Sequence, residues 1–320
     1  MRLLCIIVLV TVTGGTAMAH PHPGGIVVRP TGTVIVGDIL GSRLLVIEPS
    51  GNWREICDVG HVRELEQAAN GTIYGVSQSQ GLGLWTLGRD ERPVAVLPNF
   101  HGLFTFSEDG SLALAAADPH DRRPRLDIRS SDGRHSMLAT LEQIEALAFD
   151  DQVLVVADGA AIRVVERDGK MKTLAEQVGV GLYGLTIGPE GPIVAVYGER
   201  TVVEIARDGT RRVLLTSEPP WAPTDVTFHD GALYVVELAQ HPCCWKGPRV
   251  RRLVAGAAPA TLFTIDDGDH LHLAPWEQPL QWMVGVGILA AVLSFWVILT
   301  IHRRTRRRLS RRSGAGLTTG

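Results

Sequence analysis

The sequence is poor in cysteine, and most of it has no excess of positive charge. Its 320 residues include four Cys. Residues 20–301 carry 23 basic and 34 acidic side chains, a net charge of −11. Nucleic-acid phosphates are bound by clustered positive charge, so this balance excludes nucleic acid as a partner of this part. An apolar content of 45% excludes a disordered chain, and 35 Gly predict many tight turns.

Common catalytic and metal-binding motifs are also missing. The sequence has no G-x-S-x-G, and its Cys spacing fits neither a zinc site nor a haem-attachment site. The segment from Gly179 to Gly184 matches G-x-G-x-x-G, but it leads into a predicted strand. A phosphate site of this type needs a helix N-terminus. The motifs therefore predict no catalytic residue, no metal site and no cofactor.

Both ends of the chain predict an exported protein anchored in a membrane. Residues 1–19 have the positive start, short apolar run and small-residue end of a signal peptide. Residues 282–301 carry no charge and are long enough to cross a bilayer as a helix. The seven Arg of residues 302–320 place that end in the cytoplasm. We expect a single-pass type I protein of the plasma (cytoplasmic) membrane, with its body periplasmic or extracellular.

A repeat of about 40 residues runs through residues 20–265. A tight turn before a β-rich apolar run recurs at Gly32, Gly71, Gly110, Asp151, Gly191 and Gly231. Each unit also has a second turn, such as Asp168-Gly169, and room for four short strands. No stretch shows helical apolar spacing over three turns. The pattern predicts an all-β fold, a six-bladed β-propeller with four-stranded blades.

The end of the repeat region predicts how the ring closes. Residues 261–265 read as a strand, and we expect it to pair beside the N-terminal strand around Ile26. Residues 266–281 contain Pro and acidic residues and form the expected tether to the membrane span.

The repeats resemble those of known propeller families. The unit Pro223 to Val235, PTDVTFHDGALYV, resembles an NHL repeat. The units are also similar to blades of the gluconolactonase (senescence-marker-protein) family and of soluble quinoprotein sugar dehydrogenases, over about residues 24–265. The first family implies a divalent metal in the channel, held by Glu, Asn and Asp. Here Gly24, Tyr183 and Thr224 occupy those places, although Asp225 follows the last of them.

Aligned repeats place the starts of the six innermost strands at one end of the central channel. The polar residues there are the channel candidates Arg63, Glu64, His101, Glu145, Tyr183 and Asp225. A channel of mixed charge could bind a small polar ligand, or its side chains could simply pair with one another.

The longer loops are expected at the same end, where rigid scaffolds commonly carry binding residues. The loop candidates are Asp38, His120, Asp121, His241 and Trp245.

The exported protein is expected to keep an odd number of cysteines. Cys5 is lost with the signal peptide, so Cys57, Cys243 and Cys244 remain in an oxidising compartment. We expect a bridge from Cys57 to Cys243 or Cys244; the alternative is a bridge between the two adjacent cysteines. Either pairing leaves one thiol free.

These observations support two hypotheses for function. The first is a membrane-tethered module that binds an extracytoplasmic protein or a small polar ligand, with no cofactor. The second, implied by the resemblance, is a lactonase-like hydrolase or quinoprotein-type sugar dehydrogenase acting in the channel. A divalent cation or a quinone is then a possible cofactor.

Overall fold

The computed structural model describes residues 24–265, except residues 78–81, 118–122 and 242–243 and the side chains of residues 240, 241, 244 and 245. This part of the chain contains 24 strands and no helix, so no helix in it could cross a membrane. The predicted signal peptide, tether, membrane span and Arg-rich tail lie outside the described residues.

The strands form six blades of four. Blade 1 contains β1 Ile26–Val28, β2 Val34–Asp38, β3 Arg43–Ile47 and β4 Trp53–Asp58. Blade 2 contains β5 Val62–Gln67, β6 Ile73–Ser77, β7 Gly83–Leu87 and β8 Pro93–Leu97. Blade 3 contains β9 Leu103–Phe106, β10 Leu112–Ala117, β11 Pro124–Arg129 and β12 His135–Thr140.

The other three blades follow the same plan. Blade 4 contains β13 Ile144–Asp150, β14 Val153–Asp158, β15 Ala161–Val165 and β16 Met171–Ala175. Blade 5 contains β17 Leu182–Ile187, β18 Pro192–Val196, β19 Thr201–Ile205 and β20 Arg211–Thr216. Blade 6 contains β21 Trp221–His229, β22 Ala232–His241, β23 Cys244–Val254 and β24 Ala260–Thr264.

Each blade is an antiparallel sheet whose strands follow one another in chain order. The innermost strands are β1, β5, β9, β13, β17 and β21; each contacts the next around the ring, and β21 contacts β1. The predicted all-β, six-bladed propeller with four-stranded blades is therefore confirmed.

The predicted turns join the first two strands of each blade. Gly32, Gly71 and Gly110 have φ near +80°, a conformation that costs glycine little because it has no Cβ. In blade 4 the corresponding residue is Asp151, at φ 53°, and Asp is one of the side chains that tolerate this region.

Hydrophobic contacts between blades hold the ring together. Six buried clusters lie one at each interface between neighbouring blades. Between blades 1 and 2, for example, Leu44 and Trp85 are completely buried in one cluster. Burying such a side chain contributes about 1.5–3 kcal/mol. The second strands of the blades, such as β2, β14 and β18, are buried on both faces, which explains their nearly continuous apolar runs.

The predicted closure of the ring is wrong in one respect. Strand β24 pairs with β23 in blade 6, whereas Ile26 lies in the sheet of blade 1 and pairs with Val36. Phe263 and Ile265 do share a buried cluster with Ile26, so the two ends meet by packing. Blade 6 obtains all four strands from consecutive residues and leaves no place in its sheet for β1.

Candidate functional site

The two ends of the propeller differ. One end carries the connections between second and third strands, such as residues 39–42, and we call it the loop end. The other carries the turns between first and second strands, such as residues 29–33, and we call it the turn end. Each innermost strand starts at the loop end, as predicted, and runs to the turn end.

A cavity of about 520 Å³ lies within the ring and is lined by residues of all six innermost strands. Five of the six predicted channel candidates line it: Arg63, Glu64, Glu145, Tyr183 and Asp225. His101 does not. It is exposed and precedes β9, and its backbone carbonyl accepts a hydrogen bond from Arg63 Nη1 at 3.5 Å.

At the loop end, several acidic side chains form hydrogen bonds between neighbouring blades. Asp225 of blade 6 accepts the Ile26 N–H of blade 1 at 2.8 Å. Glu64 of blade 2 accepts the Phe104 N–H of blade 3 at 3.2 Å. These carboxyl groups satisfy backbone donors on the open edges of the inner strands.

Side chains also accept backbone N–H groups between blades 4 and 5, where the acceptor is a carboxylate, and between blades 5 and 6, where it is a hydroxyl. Glu145 accepts the Leu182 N–H at 3.0 Å, and Thr186 accepts the Phe228 N–H at 3.3 Å. The inner strands approach closely. A Cβ at Gly184 would lie 2.4 Å from Asp225 Oδ1, so only glycine fits there.

Three of the channel carboxyl groups have raised pKa values. Burial raises the pKa of Asp225 to about 7, although the N–H groups of Val226 and Ile26 oppose the shift. Burial raises the pKa of Glu66 to about 8, and the negative charge of Asp225 adds to this effect. Burial, Glu66 and Asp225 together hold the pKa of Glu64 well above its usual value. The lining contains one Arg and no Lys against five acidic residues, so little positive charge opposes these upward shifts in pKa.

The sequence analysis missed part of this cluster. Glu66 lies two residues after Glu64 and therefore on the same side of β5, which is the signal that could have found it. The Thr105 hydroxyl is hydrogen-bonded to Glu66. Other polar residues of the lining were also missed: Gln67, Glu108, Gln143, Thr227 and His229.

Tyr183 lines the cavity near the start of β17. Its ring packs against Tyr197, with ring centroids 5.4 Å apart. Burial and the nearby charge of Glu145 raise the pKa of Tyr183, so its phenol stays protonated.

Among the loop candidates, Asp38 has a structural role. It is 2% exposed, pairs with Arg43 Nε at 2.9 Å and accepts the N–H groups of Leu40 and Gly41. These contacts hold the β2–β3 connection in shape. His120 and Asp121, and the side chains of His241 and Trp245, lie outside the described part of the chain.

Blade 6 has the most deeply buried ion pair among the described residues. Glu237 is 0% exposed, accepts Arg249 Nε at 2.5 Å and also accepts the Ser217 hydroxyl. The Arg249 guanidinium lies 4.4 Å from the centre of the Trp221 ring and also pairs with Glu218. This cluster supports the base of the long β22–β23 hairpin.

Cys57 has a free thiol in the structure and packs in the cluster between blades 1 and 2. The side chains of its expected partners, Cys243 and Cys244, lie outside the described residues, so the bridge from Cys57 and the alternative bridge between these two both stay predictions.

The residues at the positions implied by the resemblance do not fit a divalent metal. Gly24 offers no side chain. Thr224 is completely buried, and its hydroxyl donates to the Val236 carbonyl at 3.4 Å. In the described part of the chain, no three His, Cys, Asp or Glu residues converge as a metal site would need.

Comparison with known proteins identifies the architecture. No family model and no curated protein matches the chain. Solved propellers do match. A gluconolactonase from Xanthomonas campestris is 16% identical, with TM-score 0.55, over 70% of this chain and 86% of that one. The calcium-binding protein regucalcin from Agrobacterium tumefaciens is 17% identical, with TM-score 0.53, over 70% and 84%.

A streptogramin B lyase is 13% identical, with TM-score 0.51, over 75% of this chain and 82% of that one. These identities establish a shared fold, and a shared fold alone does not establish an activity. The chain therefore has the six-bladed propeller architecture found in gluconolactonase-like proteins and in this lyase.

Proposed function

We propose that this protein is a membrane-tethered extracytoplasmic propeller whose channel binds a small polar ligand. One observation carries the proposal: a cavity of about 520 Å³ is lined at the loop end by polar side chains from four blades. That volume lies within the usual range for small-molecule sites. The carboxyl groups there fasten the blades to one another, which favours a rigid, preformed site.

The proposed topology rests on the charge and apolar patterns of the two chain ends. Its test is protease protection of the full chain in sealed vesicles, with an epitope tag at each end of residues 20–320. Cleavage of the propeller from the extracytoplasmic side, with the C-terminal tag protected, supports the topology. A propeller that is cleaved only when the cytoplasmic side of the membrane is open to the protease would exclude this topology.

The binding role can be tested on the purified full chain in nanodiscs. We expect thermal stabilisation by one or more members of a panel of small polar metabolites, and loss of the shift in Glu66→Gln. Val213→Ala, on the exposed side of β20, is the matched control and should respond like the wild type. A panel that stabilises wild type and Glu66→Gln equally would count against binding in the channel.

A second candidate function is catalysis on a small polar substrate in the same channel. The observation in its favour is a carboxyl group with a pKa of about 8 at Glu66, which is suited to donate a proton near neutral pH. The likeness to a gluconolactonase and a lyase adds to it. Turnover of lactones or sugars that disappears in Glu66→Gln, with or without added divalent cation or quinone, would favour this candidate.

A further inference from the structure

The channel has two chemically different layers. At the loop end, polar side chains come from blades 2, 4, 5 and 6. One or two residues before the first turn, five of the six blades contribute an apolar residue to the lining, and Glu108 and His229 line the cavity beyond it at the turn end. This apolar ring consists of Val28, Phe106, Phe149, Ile187 and Phe228.

Blade 2 alone interrupts the apolar ring. In blade 2 the equivalent position is Gln67, which pairs with Ile73 at the start of β6. Phe106, Phe149 and Phe228 line the cavity and are each partly exposed, and each also packs against a buried cluster between two blades. These three rings supply apolar surface to a cavity whose lining is otherwise mainly polar.

The carboxyl groups at the loop end are poorly placed to surround a cation. Both oxygens of Asp225 already accept N–H groups, those of Ile26 and Val226. Both oxygens of Glu145 are also engaged, by the Leu182 N–H and the Gln143 amide. A cation needs several oxygen atoms converging on it, whereas a hydroxyl or amide group can hydrogen-bond to a single carboxyl or hydroxyl group.

Glu66 and Thr105 together provide such partners. Their side chains are hydrogen-bonded to each other inside the channel. A carboxyl group and a hydroxyl can both donate and accept, so they suit a head group with the same capacity. Glu66 and Thr105 each lie one strand position before the apolar-ring position of their own blade, so the head-group site and the ring are about 3 Å apart along the strands.

We propose that the channel binds a neutral amphiphile, with a hydroxyl or amide head group beside Glu66 and an aromatic or alkyl body against the apolar ring. The inference rests on the proposed binding function and specifies its ligand class. It also assigns the apolar ring a role in affinity.

The test uses the full chain in nanodiscs and four water-soluble probes. Phenyl β-glucoside has a neutral head and an apolar ring, and methyl β-glucoside lacks the ring. Benzyltrimethylammonium and phenylacetate carry a cationic and an anionic head. We expect calorimetry, corrected with empty nanodiscs, to show about 10-fold tighter binding of phenyl β-glucoside than of methyl β-glucoside, because a phenyl ring is buried. Phenyl β-glucoside should also bind more tightly than either charged probe, because its head group is neutral.

Two variants test the apolar ring in opposite directions. Phe149→Gln repeats the residue that blade 2 already has, and should remove the advantage of phenyl over methyl β-glucoside. Gln67→Leu completes the ring and should increase that advantage. It also keeps the test decisive if Phe149→Gln does not fold. Val213→Ala should leave all four affinities unchanged.

The outcomes separate the ligand class from the binding function. Tighter binding of either charged probe overturns the neutral class but leaves channel binding in place. Equal binding of the two glucosides overturns the role of the apolar ring. If none of the four probes binds, the inference is wrong, whereas the proposed function fails only when the wider metabolite panel also gives no channel-dependent shift.

Discussion

The carboxylate of Asp225 accepts a hydrogen bond from the backbone N–H of Ile26 at 2.8 Å, although 199 positions separate the two residues in the chain. The bond joins the last blade to the first. The same carboxylate also accepts the Val226 N–H at 2.8 Å. A side chain that lines the candidate binding channel thus also closes the ring, so binding and closure share one group.

Replacing Asp225 should weaken the ring measurably. Asp225→Ala leaves two backbone N–H groups without their acceptor, and we expect a loss of about 1.5–3 kcal/mol in the free energy of unfolding. Thr186→Ala removes a single neutral bond between blades 5 and 6, so about 1 kcal/mol is expected. Denaturant unfolding of the full chain measures both. Equal losses would contradict the special role of the seam between blades 6 and 1.

Stability should fall as pH rises through neutrality. The folded-state pKa values of Asp225 and Glu66, about 7 and about 8, lie above the unfolded values of carboxyl groups. The folded state therefore binds protons more tightly, and this stabilisation is complete below about pH 4 and is lost as pH rises through 7 and 8. Each group contributes up to about 1.4 kcal/mol per pH unit in that window.

Thermal unfolding of the full chain between pH 5 and pH 9 measures this effect. Glu66→Gln and Asp225→Asn keep the shape of the side chain without its titration, so each should flatten the profile. A wild-type profile that rises over the same range would contradict the raised pKa values of Asp225 and Glu66.

The ion pair of Arg249 should depend on one partner much more than on the other. Glu237 is 0% exposed, whereas the Glu218 side chain is 58% exposed. Glu237→Ala leaves the buried Arg249 charge without its main partner, and about 3–5 kcal/mol should be lost. For Glu218→Ala we expect less than about 1 kcal/mol. Chemical unfolding measures the loss for each variant. Similar losses would show that the exposed carboxylate of Glu218 stabilises Arg249 as much as the buried carboxylate of Glu237 does.

The Cys57 thiol should react slowly in the folded protein. Burial, with the nearby charges of Glu91, Asp58 and Glu55, raises its pKa to about 11, so little thiolate is present at pH 8. Labelling with N-ethylmaleimide followed by peptide mass spectrometry should modify Cys57 only after unfolding. Cys57→Ala is the control for assigning the peptide. Recovery of Cys57 in a disulfide-linked peptide would contradict this prediction and confirm the bridge expected from the sequence.

Local chemistry explains what the sequence could predict. Gly32 and its counterparts mark turns because positive φ favours glycine, and the turns recur with the blades. Once the repeats are aligned, Glu64 and Asp225 fall at the channel entrance. Glu66 was missed because only the first positions of each inner strand were considered, although alternation along β5 places it on the same side.

Contacts between separate blades could not be predicted in the same way. Phe263 and Ile265 are apolar and become buried whether β24 pairs with β23 or with β1, so their pattern does not identify the partner strand. The bond from Asp225 to Ile26 depends on how far apart two blades lie. That distance is set by the packing of the whole ring and by close approaches such as the one at Gly184.

Every blade takes its four strands from consecutive residues. The first strand, β1, and the last, β24, therefore belong to different sheets. Strand pairing then needs only contacts within segments of about 40 residues, and such local contacts form quickly. Blades can therefore assemble in order as the chain is synthesised, and the meeting of blade 6 with blade 1 is the one interface that must wait for the whole chain. A circular permutation with new chain ends between any two blades would leave all six sheets intact. The fold therefore does not depend on which blade is first in the sequence.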